Sequence, residues 1–531
     1  MHKTGIALGL LVAAGAAATL APWYTGTQLE GTLQAAISRG NEQLRNALPG
    51  ANARLELVSL ERGVFSSTAR YRVDLGQALG EEVGPVELLF TDRIEHGPLP
   101  LSRLKALDLQ PVMALSTFNL ERSDSVLPWF AGAGETAPLS GALAIGYDNR
   151  VNGRVSLHPL EFASDEGRLR FSGIDLNLTL GAQAESVHVA GGMDNLSLDF
   201  TGDAGAVQVR LDKLDLTSDY RLGPSGYYVG GSRSELREAR VEAVGKPPLL
   251  MQQLVLTDRV DEQGGRLSGS FDYDVGSLSY DGKPLGSAGF GMTLGNLDVA
   301  AVQQLEGWYR EFMARLEAPQ TTEFALTADD EERLRQGLEA LLAGKPSVSL
   351  DRLSLKTAGG ESRFNLKLDF AKPASYELPP AELARQLVAR LDARLVLAKP
   401  TIRDLISYQA SLEPAADPAA VAQQASEAAE MAGMMATSMQ VGRVEGDNIV
   451  TSLSYADGKV DFNGQVMPAE EFAGLLMAMV PPEALGMLSG AAAAGEMSGL
   501  GEAPADLGEL VEPVDESASE MEQALESTTE E

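Results

Sequence analysis

The side chains able to do chemistry are few and widely spaced. Cysteine is absent, and the four histidines are His2, His96, His158 and His188. Disulfides, thiolate metal sites, iron–sulfur clusters and cysteine nucleophiles are therefore excluded. The histidines are too scattered to define a metal site. Glu95-His96-Gly97-Pro98 is the one acid–histidine neighbour pair. A general base oriented by a carboxylate would need a nucleophile beside it in space. The ordinary reading of such a segment is a turn between strands. Arg62-Gly63-Val64-Phe65-Ser66-Ser67 reads as a tight turn entering a strand, with Gly63 supplying a positive φ and the serines bonding locally. A recognition role for Arg62 is the sharper alternative.

No G-x-S-x-G elbow, H-E-x-x-H pair, Walker loop or EF-hand loop occurs. Gly245-Lys246 and Gly344-Lys345 are each followed by Pro, where a Walker loop needs a hydroxyl for magnesium. Gly289-x-Gly291 falls in a strand-and-turn context with no helix opening from it, so a dinucleotide site is not expected. The sequence thus nominates no catalytic residue, metal ligand or cofactor, and a non-enzymatic protein is expected. Apolar side chains offer more. Val302, Leu305, Tyr309, Phe312 and Leu316 share one helical face with Trp308 beside it, and Met431, Met434, Met435 and Met439 recur at helical spacing. Methionine adapts to irregular apolar partners. Trp308, Phe312, Met431, Met435 and Met477 are therefore the candidate surface for an apolar ligand or partner, with a packed core helix as the commoner source of the same pattern.

The chain of 531 residues carries 75 acidic against 42 basic side chains, a formal charge of -33. Such a surface repels nucleic-acid phosphates and anionic headgroups, so nucleic-acid binding is not expected. Residues 5–21 (GIALGLLVAAGAAATLA) are uncharged, follow Lys3 and precede Pro22-Trp23-Tyr24. Seventeen apolar residues lie at the short end of what spans a bilayer core of about 30 Å. An uncleaved N-in transmembrane helix fits, with aromatics at the interface; a signal peptide cut near Ala16-Ala17-Ala18 also fits. Both export everything after residue 24.

Residues 25–54 read as a membrane-proximal helix. From residue 55 the apolar period switches to two, with runs over 64–75, 86–94, 112–120, 139–147, 151–157, 169–180, 187–200 and 207–216. Ile174, Leu176, Leu178 and Leu180 alternate with Asp175, Asn177 and Thr179. Gly- and Asp-rich pairs, among them Asp148-Asn149, Gly191-Gly192 and Gly264-Gly265, read as turns. The expected fold class is α+β, predominantly antiparallel β, built on large sheets apolar on one face. Residues 55–297 form the β-rich part. Residues 298–485 are mixed, with helices over 298–316, 329–342, 402–411, 415–438 and 469–480. Residues 486–531, acidic and without Lys or Arg, read as a disordered tail.

Several of these stretches match a known pattern. Pro22-Trp23-Tyr24-Thr25-Gly26, residues 57–67 (LVSLERGVFSS), Glu95-His96-Gly97-Pro98-Leu99-Pro100, Leu294-Gly295-Asn296-Leu297-Asp298 and Tyr455-Ala456-Asp457-Gly458-Lys459 with Asn463-Gly464 resemble the YdgA-like proteins of proteobacteria. The resemblance spans residues 22 to about 467. It implies a retained inner-membrane anchor through residues 5–21, a periplasmic body, and no catalytic residues to carry over. The expected function is to bind or convey a lipid-like ligand in the envelope of a Gram-negative bacterium. A scaffold for envelope proteins is the alternative, and a hydrolase a third reading.

Overall fold

A computed structural model describes residues 53–479 with 37, 38, 40 and 41, apart from the stretches 76–86, 135, 165–166, 203–204, 317–325 and 413–416. The expected span at residues 5–21, most of the membrane-proximal helix and the acidic tail lie outside the described residues. Among the described residues no helix is long and apolar enough to cross a membrane. Residues 1–466 form one compact unit and 467–531 a second. Strand makes up 55% of the described residues and helix 26%, so antiparallel β predominates as the alternation requires.

Strands β1 (Arg54–Arg62), β2 (Ser66–Asp74), β3 (Glu87–His96), β4 (Ala114–Leu120), β5 (Leu139–Ile145) and β6 (Val151–Leu157) form a meander in which each strand pairs with its predecessor. Helices α1 (Leu101–Lys105) and α2 (Leu127–Ala133) occupy two of the connections. Strands β7 (Leu160–Ala163) and β8 (Gly167–Phe171) make a side hairpin, and β9 (Ile174–Leu180) returns to pair with β6. Residues 169–180, expected as one run, are therefore two strands broken at Ser172-Gly173. Strand β10 (Ser186–Gly202) is long enough to pair with β9 along Val187–Met193 and with β8 along Leu196–Phe200. Gly191-Gly192 lies inside β10 and not at a turn. Gly191 is paired with Leu176 and Leu216, and close strand approach, not reversal, explains the small residues.

The sheet continues through β11 (Gly205–Leu222), β12 (Tyr228–Ala243), β13 (Lys246–Gln263), β14 (Arg266–Tyr280) and β15 (Lys283–Asp298). These strands and β10 are 15–18 residues long. At about 3.3 Å per residue, an 18-residue strand reaches roughly 60 Å. Gly264 and Gly265 close the β13–β14 hairpin, both at positive φ as a tight hairpin turn demands. The Gly289-x-Gly291 pair sits in the interior of β15, not in a turn. Strands β16 (Ser347–Lys356), β17 (Glu361–Phe370) and β18 (Val388–Ala398) follow. β18 pairs with β20 (Asn448–Ala456), whose other side carries β19 (Arg443–Glu445) and β21 (Lys459–Phe462). β22 (Gln465–Pro468) is the last strand.

The helices lie at the strand ends. Helix α3 (Val299–Leu316) starts where β15 stops, with the Ala301 amide donating to Asp298. It meets the β11–β12 turn through Tyr227 Oη to Glu306, 2.6 Å, and Gln303 to the Ser225 carbonyl. Helix α4 (Ala328–Ala343) opens on a Thr327/Asp330 capping box and packs on α3. Between β17 and β18 lies the short α5 (Pro380–Leu387). Helix α6 (Lys399–Ser411) sits at the opposite strand ends, where Tyr408 donates to the Tyr280 carbonyl and Asp404 accepts from Thr357. Helix α7 (Pro418–Ser438) lays its small residues Ala425, Ala429 and Gly433 inward beside α6. In the second unit, α8 spans Ala469–Met479.

Candidate functional site

Cross-strand pairing carries one apolar face across the sheet. In one row Met193, Leu214, Leu236, Leu254, Val275, Ala288 and Leu355 stand opposite one another from β10 to β16. In the next row Leu256, Tyr273, Phe290, Leu353, Phe364 and Leu395 do the same from β13 to β18. The other face is polar and laced with ion pairs such as Arg233–Glu235, Arg259–Asp261, Arg352–Asp274 and Arg390–Asp392.

A crease crosses the long strands. Lys213 and Gln253 are held at positive φ, and the apolar spacing there lengthens from two residues to three: Leu211 to Leu214, Leu236 to Ala239, Met251 to Leu254, Val275 to Leu278. The crease tilts side chains from both halves of the face together, and here Ala239, Leu254 and Val275 form a small buried cluster. Away from it the face is open. Phe271 and Leu294 are each 36% exposed, Leu353 49%. Phe271 stacks edge-on against Phe290, centroids 6.3 Å apart, and both rings remain accessible. Asp258 shares the face, and its carboxylate is taken up by Tyr220 and Ser232 hydroxyls. Burial, with the neighbouring carboxylate, pushes the Tyr220 phenol far up from its usual range.

The same face on β1–β6 and β9 is closed. Leu55, Tyr71, Leu88, Leu143, Val151 and Leu178 join one buried cluster, with Val126 and the α2 residue Phe130 included. Phe90 and Phe118 pack edge to face, 6.2 Å between centroids. The Phe118 ring lies where Gly141 has no side chain: a Cβ there would sit 2.3 Å from Cζ. One carboxylate is enclosed. Asp92 accepts from Ser116 Oγ at 2.8 Å, and burial pushes its pKa up to about 6. Beside it the Tyr71 hydroxyl is buried without a hydrogen-bond partner among the described residues.

The structure brings together the two turn motifs singled out in the sequence. Ser67 Oγ lies 3.0 Å from His96 Nε2, and His96 Nδ1 lies 3.2 Å from the Val64 carbonyl. In the Nδ1–H tautomer the ring donates to Val64 and accepts from Ser67, the proton arrangement of a serine–histidine pair. Glu95 is directed elsewhere, accepting from the Ser102 amide and hydroxyl at 3.0 and 2.8 Å. Ser67 is itself buried in the β1–β2–β3 packing. The geometry pins one turn to the other. Gly63 does not adopt positive φ; its missing side chain leaves room for the Ser66 carbonyl.

Of the candidate apolar surface, Trp308 and Phe312 are only 8% and 5% exposed. They stack at 5.4 Å in the α3–α4 interface, where Trp308 Nε1 donates to Asp330. They hold two helices together and do not face solvent. Hydrogen bonds from Thr327, then the Arg315 guanidinium, keep Asp330 well below the usual carboxylate range. Met431 and Met435 are exposed on α7 with Met434 and Met439. The Met477 side chain lies outside the described residues. Among the described residues no group of three or more His, Asp or Glu could hold a metal ion. A cavity of 610 Å³ on the polar face of β16–β20 is lined by Asp351, Lys367, Asp392, Arg394, Arg443 and Asp461. Its three acids and three bases balance, which selects neither anions nor cations.

Comparison with known proteins gives a consistent result. The family described as a bacterial protein of unknown function (DUF945) matches residues 1–470. Protein YdgA of Escherichia coli K12 is 28% identical over 488 residues, covering 90% of this chain and 97% of the relative. The uncharacterized protein YihF of the same organism is 24% identical over 487 residues, covering 88% and 97%. An uncharacterized Haemophilus influenzae protein is 24% identical over 193 residues, covering 36% and 52%. No solved structure matches.

Proposed function

The chain belongs to the DUF945 family of bacterial proteins, and from that premise we propose a non-enzymatic envelope protein whose open sheet face binds or conveys an apolar, lipid-like ligand. The observation that carries this reading is the half-exposed apolar face of β10–β18. An apolar sheet face in water needs a cover, and the helices α3, α4 and α6 meet this sheet through its strand ends. Nine strands at about 4.8 Å spacing give a strip roughly 40 Å wide, lined by aliphatic and aromatic side chains that suit acyl chains. Residues 5–21 would hold the protein in the inner membrane with its body in the periplasm.

A scaffold for other envelope proteins is the second reading, favoured by the exposed methionines of α7. One experiment separates the two. A photo-crosslinking amino acid replaces Phe271, Leu294 or Leu353 on the apolar face, or Asp272 on the polar face, in cells. Adducts of lipid mass at the first three positions and none at Asp272 are expected. Protein adducts at the apolar positions would favour the scaffold, and absence of any adduct there would end the ligand reading.

A further inference from the structure

We propose that the two turns at the Ser67–His96 end of the N-terminal sheet form a contact for a phospholipid bilayer surface, with Phe65 and Leu107 entering the headgroup region. This site is separate from the open face and does not depend on ligand conveyance. Val64 and Phe65, at the tip of the β1–β2 hairpin, are 84% exposed, and so is Leu107 in the β3–β4 connection. Leu99, Leu101, Leu104 and Leu109 of that connection are exposed as well. Seven large apolar side chains thus project from one end of the sheet.

The two turns form one preorganised tip. The His96 amide donates to the Phe65 carbonyl at 2.9 Å, the Ser67–His96 hydrogen bond ties the strands, and the Val112 amide donates to the Pro98 carbonyl at 3.0 Å. The charge pattern is also local. Residues 97–107 (GPLPLSRLKAL) contain Arg103 and Lys105 and no acid, in a chain of net charge -33. Arg103 is paired with Asp108 at 2.7 Å, Glu95 is occupied by Ser102, and Lys105 is exposed. An acidic protein is repelled by anionic headgroups; at this tip the exposed Lys105 ammonium can approach them together with the apolar side chains.

Shape favours a bilayer over a protein. A standard protein interface needs about 800 Å² per partner of closely complementary surface. Val64, Phe65 and Leu107, standing almost free of their neighbours, provide neither a pocket nor a flat patch. A fluid interface closes around such protrusions without matched shape, as it does around amphipathic elements.

The absence of cysteine makes the test direct. Phe65→Cys, Leu107→Cys and, as control, Thr217→Cys on the polar face of β11 are each labelled in the full chain with an environment-sensitive fluorophore. The protein is reconstituted into phosphatidylethanolamine/phosphatidylglycerol vesicles, with doxyl-labelled lipid placed either in the same vesicles or in a second, added population. Quenching at positions 65 and 107 several-fold above that at 217, in either arrangement, is the expected result, and Leu101→Asp should weaken it at both. Equal quenching at all three positions in both arrangements would overturn the proposal. So would a blue shift in lipid-free detergent that grows with protein concentration, which would assign the tip to a second copy of the chain.

Discussion

The sheet on β1–β9 and the sheet on β10–β18 share one alternation and one continuous apolar face, yet only the first encloses it. Leu143 and Val151 are fully buried in the first region, whereas Leu353 in the second is half exposed. The first is closed, with Ile37, Val126 and Phe130 in its buried cluster; the second has a buried cluster only along its crease. Period-two patterning therefore specifies which face is apolar and leaves open what covers that face. Stability should reside in the closed region and binding in the open one.

Truncating side chains tests that division most strongly. Leu143→Ala should cost about 2–5 kcal/mol in urea denaturation, the usual range for a cavity in a closed core. Leu353→Ala should cost less than about 1 kcal/mol while weakening any lipid adduct. Equal costs would break the comparison. The enclosed Asp92 gives the next effect. Its folded-state pKa of about 6 lies above the unfolded value, so its contribution is complete below about pH 4 and is lost as pH rises through 6. Above that, the ionised group costs roughly 3 kcal/mol. Asp92→Asn should be the more stable protein at pH 8 and should flatten the pH profile between 4 and 6. A parallel decline in parent and variant would show that this carboxylate is not closed off from water.

Gly141→Val probes the same core by overfilling it. The new side chain meets the Phe118 ring, and overpacking of this kind costs about 1–3 kcal/mol. Phe118→Ala in the same chain should relieve part of that loss in thermal melts. The smallest effect belongs to the crease. Gln253 holds a left-handed conformation that costs a side-chain-bearing residue about 1 kcal/mol. Gln253→Gly should raise stability by up to about that amount; a loss would mean that the glutamine side chain, not the bend, matters there.

Much of the fold is legible in the sequence. Leu176, Leu178 and Leu180 are buried and Asp175, Asn177 and Thr179 exposed, as their alternation requires. Gly191-Gly192 misleads because a glycine pair marks either a turn or a close strand approach, and only the neighbouring strands decide. The Trp308 face misleads because a helical apolar stripe is the same whether a ligand or α4 covers it. The Ser67–His96 pair is hidden for a different reason: its members are 29 residues apart, and their meeting follows from β2–β3 register, which local pattern does not encode. The open face itself is invisible to periodicity, since covered and uncovered strands alternate alike.

The order of strands has a consequence for how the molecule comes into being. From β1 to β6, and again from β9 to β18, each strand pairs with the one just before it. Contacts between successive strands are short-range, which favours rapid formation. Such a sheet can be laid down in the order of synthesis, each new hairpin using the previous strand as its template. The growing edge stays sticky until the end. The far side of β20, occupied by the short β19 and β21, is where that growth stops.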